Sequence, residues 1–461
     1  MSEPEIAIVG SGPSGFFAAE ALLKSDAGVR VDMFDRLPTP YGLVRSGVAP
    51  DHQQIKQVVK VFDALATNPK FAFFGNIDIG RDIPLAGLRN RYDAVILAYG
   101  ASAGTPLPIP GSDLPQSITA TDFVGWYNGH PDFAGLEPRF DHECAVVVGH
   151  GNVGIDVARI LLSDHARLAK TDIADHALEA LRESRVRRVH LVGRRGPAQA
   201  SFTTAELREL LGLPGVRVVI DQDAMQLNEE EQAYLDLPVN AAIKRNVSVM
   251  ADAIAREAHG EDAKELHLDF LASPMEIEGT DRVRSVRFAR NRLEGPADNR
   301  KAVPGAEHFA ISAGLAISSI GFRGKPLGNA PFDERRGIIP NVAGRVTGEA
   351  NGSMPLYVAG WIKRGATGVI GTNRADAMET VRTLLSDFRE GRWPVKPGRP
   401  RTPALLSGSR IDFMDWKRID AAECLSGREA GRPRRKIVSV AAMLDVARRG
   451  EGAVLPSQPV G

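Results

Sequence analysis

Cysteine is nearly absent from this chain: Cys144 and Cys424 are the only two in 461 residues, far apart and without a Cys-x-x-Cys pair. That scarcity excludes a disulfide scaffold, a redox dithiol and an iron–sulfur ligand set, and it fits a reducing compartment. No apolar run approaches the ~20 residues needed to span a bilayer, and the first strand-like run opens so soon after Met1 that no room is left for a signal or transit peptide. Charge of one sign is missing as well, since 57 Lys and Arg balance 57 Asp and Glu, which argues against bulk nucleic-acid binding. The expectation is a soluble cytoplasmic protein that engages neither nucleic acid nor membrane and has no resident metal.

What the chain does have is glycine, 46 residues of it, twice arranged as a fingerprint: Gly10-Ser11-Gly12-Pro13-Ser14-Gly15 and Gly149-His150-Gly151-Asn152-Val153-Gly154. The bare pattern is weak, and its context carries the reading. Residues 5–9 (EIAIV) form a short apolar run opening into the first fingerprint, and residues 16–23 read as the helix that comes next, stopping near Gly28. Residues 144–148 (CAVVV) and 155–162 repeat that grammar around the second. Small residues let the backbone approach a pyrophosphate, whose charge then sits on the positive end of a helix.

The strand after each fingerprint separates the two ligands. Residues 29–35 read as a second strand ending in Asp35, twenty positions beyond Gly15. A carboxylate there accepts hydrogen bonds from ribose hydroxyls and repels a 2′-phosphate, which suits FAD or NAD. The comparable strand after the second fingerprint, residues 189–193, ends in Arg194-Arg195 with no acid at its tip. Guanidinium forks match phosphate oxygens, and at about 1.5–3 kcal/mol per charge-assisted bond the pair favours NADP over NAD by one or more powers of ten.

The fold class expected is α/β with two Rossmann-like dinucleotide-binding domains, the NADP domain (108–319) inserted into a discontinuous FAD domain (1–107 and 320–461). Residues 92–98 close the first βαβ region, and a Pro/Gly-rich stretch from Gly104 to Gly111 reads as a linker. Residues 311–322 read as a single return strand and 356–360 as another, leading into a glycine-studded turn from Trp361 to Gly371 and a helix from about Thr372 to Phe388. A helix starting there presents free backbone donors to the edge of a flavin that gains negative charge on reduction, and Trp361 is a flat side chain suited to cover the ring. The tail after Pro394, rich in Pro, Arg and Gly, carries no structural reading.

Residues 36–52 (RLPTPYGLVRSGVAPDH), directly after Asp35, resemble the segment that marks ferredoxin-NADP reductases of the adrenodoxin-reductase type. Residues 149–161, 192–197 with 200–203, and 360–365 through 368–373 agree in the same order, so the resemblance spans roughly residues 4 to 390. It implies an FAD-containing oxidoreductase that takes hydride from NADPH and passes electrons singly to a small iron–sulfur protein such as a ferredoxin. By matching position it implies that Ser14, Asp35 and Leu43 line the FAD, with Trp361, Gly368, Val369 and Ile370 beside its ring. Asn152, Val153, Arg194, Arg195 and Glu206 then hold NADP, with Gly368 also near the nicotinamide. The resemblance further implies that His52 and Asp156 couple near the nicotinamide in catalysis, with Glu209 sharing the surface of Glu206. Ala366 stands where the family usually has proline. An acidic ferredoxin calls for a basic docking face, and Arg185, Arg187, Arg188, Lys244 and Arg245 are its candidates. A two-dinucleotide flavin monooxygenase and a nonenzymatic NADP-binding regulator are the competing functions.

Overall fold

A computed structural model describes residues 3–255, 262–348, 354–393 and 410–449. The chain divides into two compact units, one formed by residues up to Ala103, Asn128–Ala134 and the chain from Phe322 on, the other by Gly104–Tyr127 and Gly135–Gly321.

The first unit is built on a seven-stranded sheet. Its order is Asn341–Val342, Arg345–Val346, Leu356–Val358, Ala94–Leu97, Glu5–Val9, Arg30–Phe34 and Phe71–Phe74. The last five strands of that order run parallel, with Ile8 paired to both Met33 and Ile96. Both faces are covered, which is why Ile6, Ala7 and Ile8 are all fully buried and the strand reads as an unbroken apolar run. One face carries Phe16 stacked on Phe62 at 4.6 Å, and the other carries Phe34 stacked on Phe74 at 5.2 Å. Helix Pro13–Leu23 starts with proline in its first turn, where a missing amide hydrogen costs nothing, and it packs along helix Ile370–Arg389. The latter begins two residues earlier than the sequence suggests.

Residues 410–449, within the tail that gave no reading as sequence, are part of this core. Ile411 exchanges backbone hydrogen bonds of 2.8 and 3.0 Å with Gly75 and so extends the sheet edge. Helices Phe413–Glu429 and Val440–Arg449 bury Trp416, Ile419, Met443 and Val446 against it. Trp416 stands edge-on to Tyr41 at 5.7 Å and donates its indole N–H to the Tyr41 hydroxyl at 3.2 Å. Glu423 is 0% exposed and receives both Arg45, at 2.5 and 2.8 Å, and Arg434 at 2.9 Å, while the Ile437 amide donates at 2.8 Å. Lys436 ties the same knot to the Arg45 carbonyl at 3.1 Å and to Asn128 at 3.0 Å. Low aromatic content and many arginines hide this packing from a compositional reading, because the charges point inward at one carboxylate.

The second unit holds a six-stranded parallel sheet. In order it comprises Ser117–Thr119, Leu315–Ser318, Cys144–Val148, Arg188–Val192, Lys264–Asp269 and Val216–Ile220. A separate antiparallel sheet of Ala272–Glu278, Ser285–Glu294 and Lys301–Ser312 shares a core with it through Val146, Val148, Val192, Val286, Phe288 and Ile311. The single return strand expected over 311–322 is therefore two elements. Ser312 ends an antiparallel strand, the chain turns at Gly314, and Leu315–Ser318 enters the parallel sheet. Gly314 makes the turn because its amide donates to the Cys144 carbonyl at 3.1 Å and a Cβ there would lie 2.4 Å from that of His142.

Burial pushes the Glu423 carboxyl up, but Arg45, Arg434 and the Ile437 amide outweigh it and hold its pKa below the ordinary value. Glu423→Gln leaves Arg45 buried and without its counter-charge, so it should destabilise the first unit by about 3–5 kcal/mol. A melting midpoint of the variant equal to that of the unmodified protein would refute this.

Candidate functional site

The first fingerprint sits between strand Glu5–Val9 and helix Pro13–Leu23. Gly10 leaves the strand at φ +106°, and a Cβ on it would lie 2.6 Å from the Ala98 carbonyl oxygen. A Cβ on Gly15 would lie 2.1 Å from the Gly10 oxygen, so the first helical turn rests directly on the loop. Gly12 caps the helix with no side-chain acceptor for its leading amides, and a Cβ on it would meet only open space. A bare loop, uncapped amides and a helix N-terminus fit a pyrophosphate. At the next strand tip, Asp35 Oδ2 accepts from the Ser11 amide at 2.9 Å and the Ser11 hydroxyl at 2.5 Å, while Oδ1 accepts from the Leu37 amide at 2.9 Å. These bonds fix the carboxylate against the fingerprint loop. Leu43, 36% exposed, opens the short helix Leu43–Ser46.

Across the same unit, Gly360 ends strand Leu356–Val358 at φ +80°, where a Cβ would lie 2.2 Å from Ser14 Oγ. The Ser14 hydroxyl donates to Asn373 Oδ1 at 3.1 Å, and Arg364 donates to the same oxygen at 2.9 Å. The segment expected to be an open turn contains a one-turn helix, Trp361–Arg364. Half-buried Trp361 donates its indole N–H to the Thr367 carbonyl at 3.1 Å and packs on Phe322 with ring centroids 5.3 Å apart. Gly368 comes next at φ +80°, Val369 is 62% exposed, and Ile370 opens the long helix whose leading amides have no side-chain cap. Buried Lys363 is neutralised by Asp376 at 3.2 Å and Glu379 at 2.7 Å. Arg364, Asn373 and Asp376 hold this turn, and sequence reasoning gave them no role. The signal available was an unbroken Lys-Arg pair with an acid several turns further on. His52 belongs to the turn after Pro50 and donates its amide to the Ala49 carbonyl at 3.1 Å.

In the second unit the construction repeats. Gly149 lies at φ +131°, with its Cβ position 2.2 Å from the Ser319 oxygen, and a Cβ on Gly154 would lie 2.3 Å from the Gly149 oxygen. Gly151 caps helix Asn152–Leu162 without a side-chain bond; Asn152 Oδ1 accepts from the Thr203 amide at 2.8 Å, and Val153 lies in the first turn. His150 turns its imidazole inward, donating Nε2–H to the Leu191 carbonyl at 2.9 Å and packing on Phe270 at 4.7 Å. Burial pulls its pKa down to about 4. Only its backbone is left for a nucleotide.

Beyond strand Arg188–Val192, the backbone of Arg194 and Arg195 is fixed. Asn291 donates to the Arg194 carbonyl at 2.7 Å and Leu271 to that of Arg195 at 3.2 Å. Both guanidiniums are exposed and have no side-chain partner among the described residues. Asp156 and Glu209 are brought together by Arg159, which is 0% exposed, pairs with Asp156 and lies 3.7 Å from Glu209. Burial lowers the Arg159 pKa, and Glu209 and Glu206 work against that shift. Of the basic candidates, Arg188 is paired with Glu265 at 2.9 Å, Lys244 with Asp236 at 2.7 Å, and Arg187 donates to the Asp262 carbonyl. Arg185 and Arg245 have exposed side chains with no partner among the described residues. Both cysteines are free, and burial pushes the Cys144 thiol up to about 12, far from a reactive thiolate. No helix among the described residues is long and apolar enough to cross a membrane.

Residues 4–254 match the family described as pyridine nucleotide-disulphide oxidoreductase. The chain is 46% identical to NADPH-ferredoxin reductase FprA of Mycobacterium tuberculosis, covering 96% of this chain and 98% of that one. It is 43% identical to the mitochondrial NADPH:adrenodoxin oxidoreductase of Salvelinus fontinalis, over 97% of this chain and 92% of the relative. The solved structure of Mycobacterium tuberculosis FprA in complex with NADPH superposes with a TM-score of 0.91, covering 97% of this chain and all of the other.

The lowered pKa of His150 makes a pH prediction. Between the unfolded value near 6.5 and the folded value of about 4, the unfolded chain binds a proton that the folded chain refuses, so His150 withdraws stability as pH falls through that window. The full effect is roughly 3 kcal/mol. His150→Gln should flatten the acid side of the melting-midpoint profile between pH 6.5 and 4; an unchanged slope would contradict the assignment.

Proposed function

Since this chain belongs to the pyridine nucleotide-disulphide oxidoreductase family, and within it to the NADPH-ferredoxin and adrenodoxin reductases, we propose that it is an FAD-containing NADPH:ferredoxin oxidoreductase. The observation that carries the reading is the contrast between two nearly identical glycine loops. One leads to a fixed acid, Asp35, and the other to two exposed guanidiniums, Arg194 and Arg195, without side-chain partners among the described residues.

Bound FAD supplies two-electron acceptance from NADPH and one-electron release to an iron–sulfur protein. The chain's own residues hold, orient and polarise. Gly10, Gly12 and Gly15 admit the FAD pyrophosphate to the Pro13–Leu23 helix terminus, Asp35 takes ribose hydroxyls, and Ser14 and Leu43 complete the cradle. Trp361 and the turn Gly368-Val369-Ile370 flank the ring system, where the uncapped amides of helix Ile370–Arg389 favour negative charge at its edge. Gly149, Gly151, Asn152 and Val153 receive the NADP pyrophosphate, His150 contributes backbone alone, Arg194 and Arg195 take the 2′-phosphate, and Glu206 helps hold the nucleotide. His52, Asp156 and Glu209 act on the nicotinamide side as orienting or proton-handling groups. The partner is a small acidic iron–sulfur protein, met by a basic face to which Arg185 and Arg245, unpaired among the described residues, contribute charge. Two unpaired thiols fit a reducing, cytoplasmic setting and set the chain apart from dithiol-using members of its family.

NADPH should bleach the flavin absorbance in stopped flow far faster than NADH at equal concentration. Arg194→Ala should raise the KM for NADPH by roughly 10- to 100-fold with turnover largely spared, and leave NADH kinetics unchanged. Loss of turnover at constant KM would refute 2′-phosphate recognition. Cytochrome c reduction by NADPH should depend strongly on added ferredoxin, and a ferredoxin-independent rate would refute the electron acceptor.

A further inference from the structure

Away from the glycine loops, strands Arg188–Val192 and Lys264–Asp269 of the second unit run parallel with His190 directly opposite His267. Side chains alternate across a strand, so Glu265, His267 and Asp269 share one face, while Leu266 and Leu268, 0% and 1% exposed, fill the other. The two imidazoles stack with centroids 4.3 Å apart and planes 26° from parallel. His190 Nδ1 lies 2.8 Å from Asp269 Oδ2, and His267 Nε2 lies 2.9 Å from Glu265 Oε2. One nitrogen or oxygen atom from each of His190, His267 and Asp269 falls within 4.8 Å of the other two, and all three side chains are partly buried.

We propose that His190, His267 and Asp269 bind one divalent transition-metal ion of the zinc type, clamping two neighbouring strands of the sheet. Two imidazoles and a carboxylate are a borderline-soft donor set that suits zinc and disfavours magnesium or calcium. Tetrahedral ligand atoms sit about 3.4 Å apart, so binding turns the two imidazoles out of their stack to bring their lone pairs to one point, with water in the fourth position. Glu265 acts as a positioning residue. It is held by Arg188 at 2.9 Å and by Arg217, and its bond to His267 fixes that ring's tautomer and leaves the other nitrogen its lone pair.

Chelator-treated holoenzyme titrated calorimetrically with zinc alone should bind one ion per chain, and its melting midpoint should rise with zinc. His190→Gln and His267→Gln should each weaken that binding at least tenfold and abolish the rise, whereas His308→Gln, at an exposed histidine on another sheet, should change neither. Asp269→Asn gives the same readout if a histidine variant loses its flavin. Absence of saturable one-to-one binding by the unmodified protein, or zinc affinity unchanged in the variants, would overturn the proposal.

Discussion

Both nucleotide loops rest on one steric relation: the third glycine of each fingerprint lies against the carbonyl of the first. A Cβ at Gly15 or Gly154 would approach that oxygen to 2.1 or 2.3 Å, closer than real atoms come. The contact brings each helix hard against its strand, so that the helix terminus opens at the strand tip, where uncapped amides gather. A pyrophosphate needs such a place, since a fixed cluster of amide dipoles costs no reorganisation when the charge arrives. With that scaffold common to both loops, the difference between them lies at the tip of the next strand, an acid in one unit and adjacent arginines in the other.

Support for the first loop comes from far along the chain. Ser14 meets Gly360 and Asn373, and the segment after Asp35 is fastened by Trp416 on Tyr41 and by Glu423 on Arg45. Arg36 of the same segment pairs with Asp132, on the short stretch of chain that leaves the second unit's sequence to join the first. The segment after Asp35 is thus held through hydrogen bonds and a buried ion cluster as well as by apolar packing. Such a cluster contributes little net stability over a hydrophobic substitute, yet it fixes one geometry.

Much of this was legible in the sequence. Strand–glycine–helix grammar announced both sheets because each strand is buried on two faces and reads as a continuous apolar run. The acid and arginine tips were equally plain. Three features were not. The C-terminal helices escaped because Arg45 and Arg434 both direct their charge at Glu423, and the Arg45 pairing spans hundreds of residues that no local pattern encodes. The break at Gly314 escaped because its cause is a neighbouring side chain, His142, brought close only by the fold. The face shared by Glu265, His267 and Asp269 has a period of two, but its meaning depends on the register that sets His190 opposite His267. Among the site residues, His150 shows the reverse: its place in the fingerprint was visible, but the inward turn of its ring over Gly193 was not.

If the two glycine loops hold two different dinucleotides, a crossed pair of substitutions separates them. Bound flavin per chain, and NADP affinity by calorimetry, are measured on Gly15→Ala and Gly154→Ala. The account predicts that Gly15→Ala purifies with its flavin lost, while Gly154→Ala retains full flavin and binds NADP at least tenfold more weakly. Flavin loss in Gly154→Ala with flavin retained in Gly15→Ala, or NADP affinity untouched by Gly154→Ala, would contradict it.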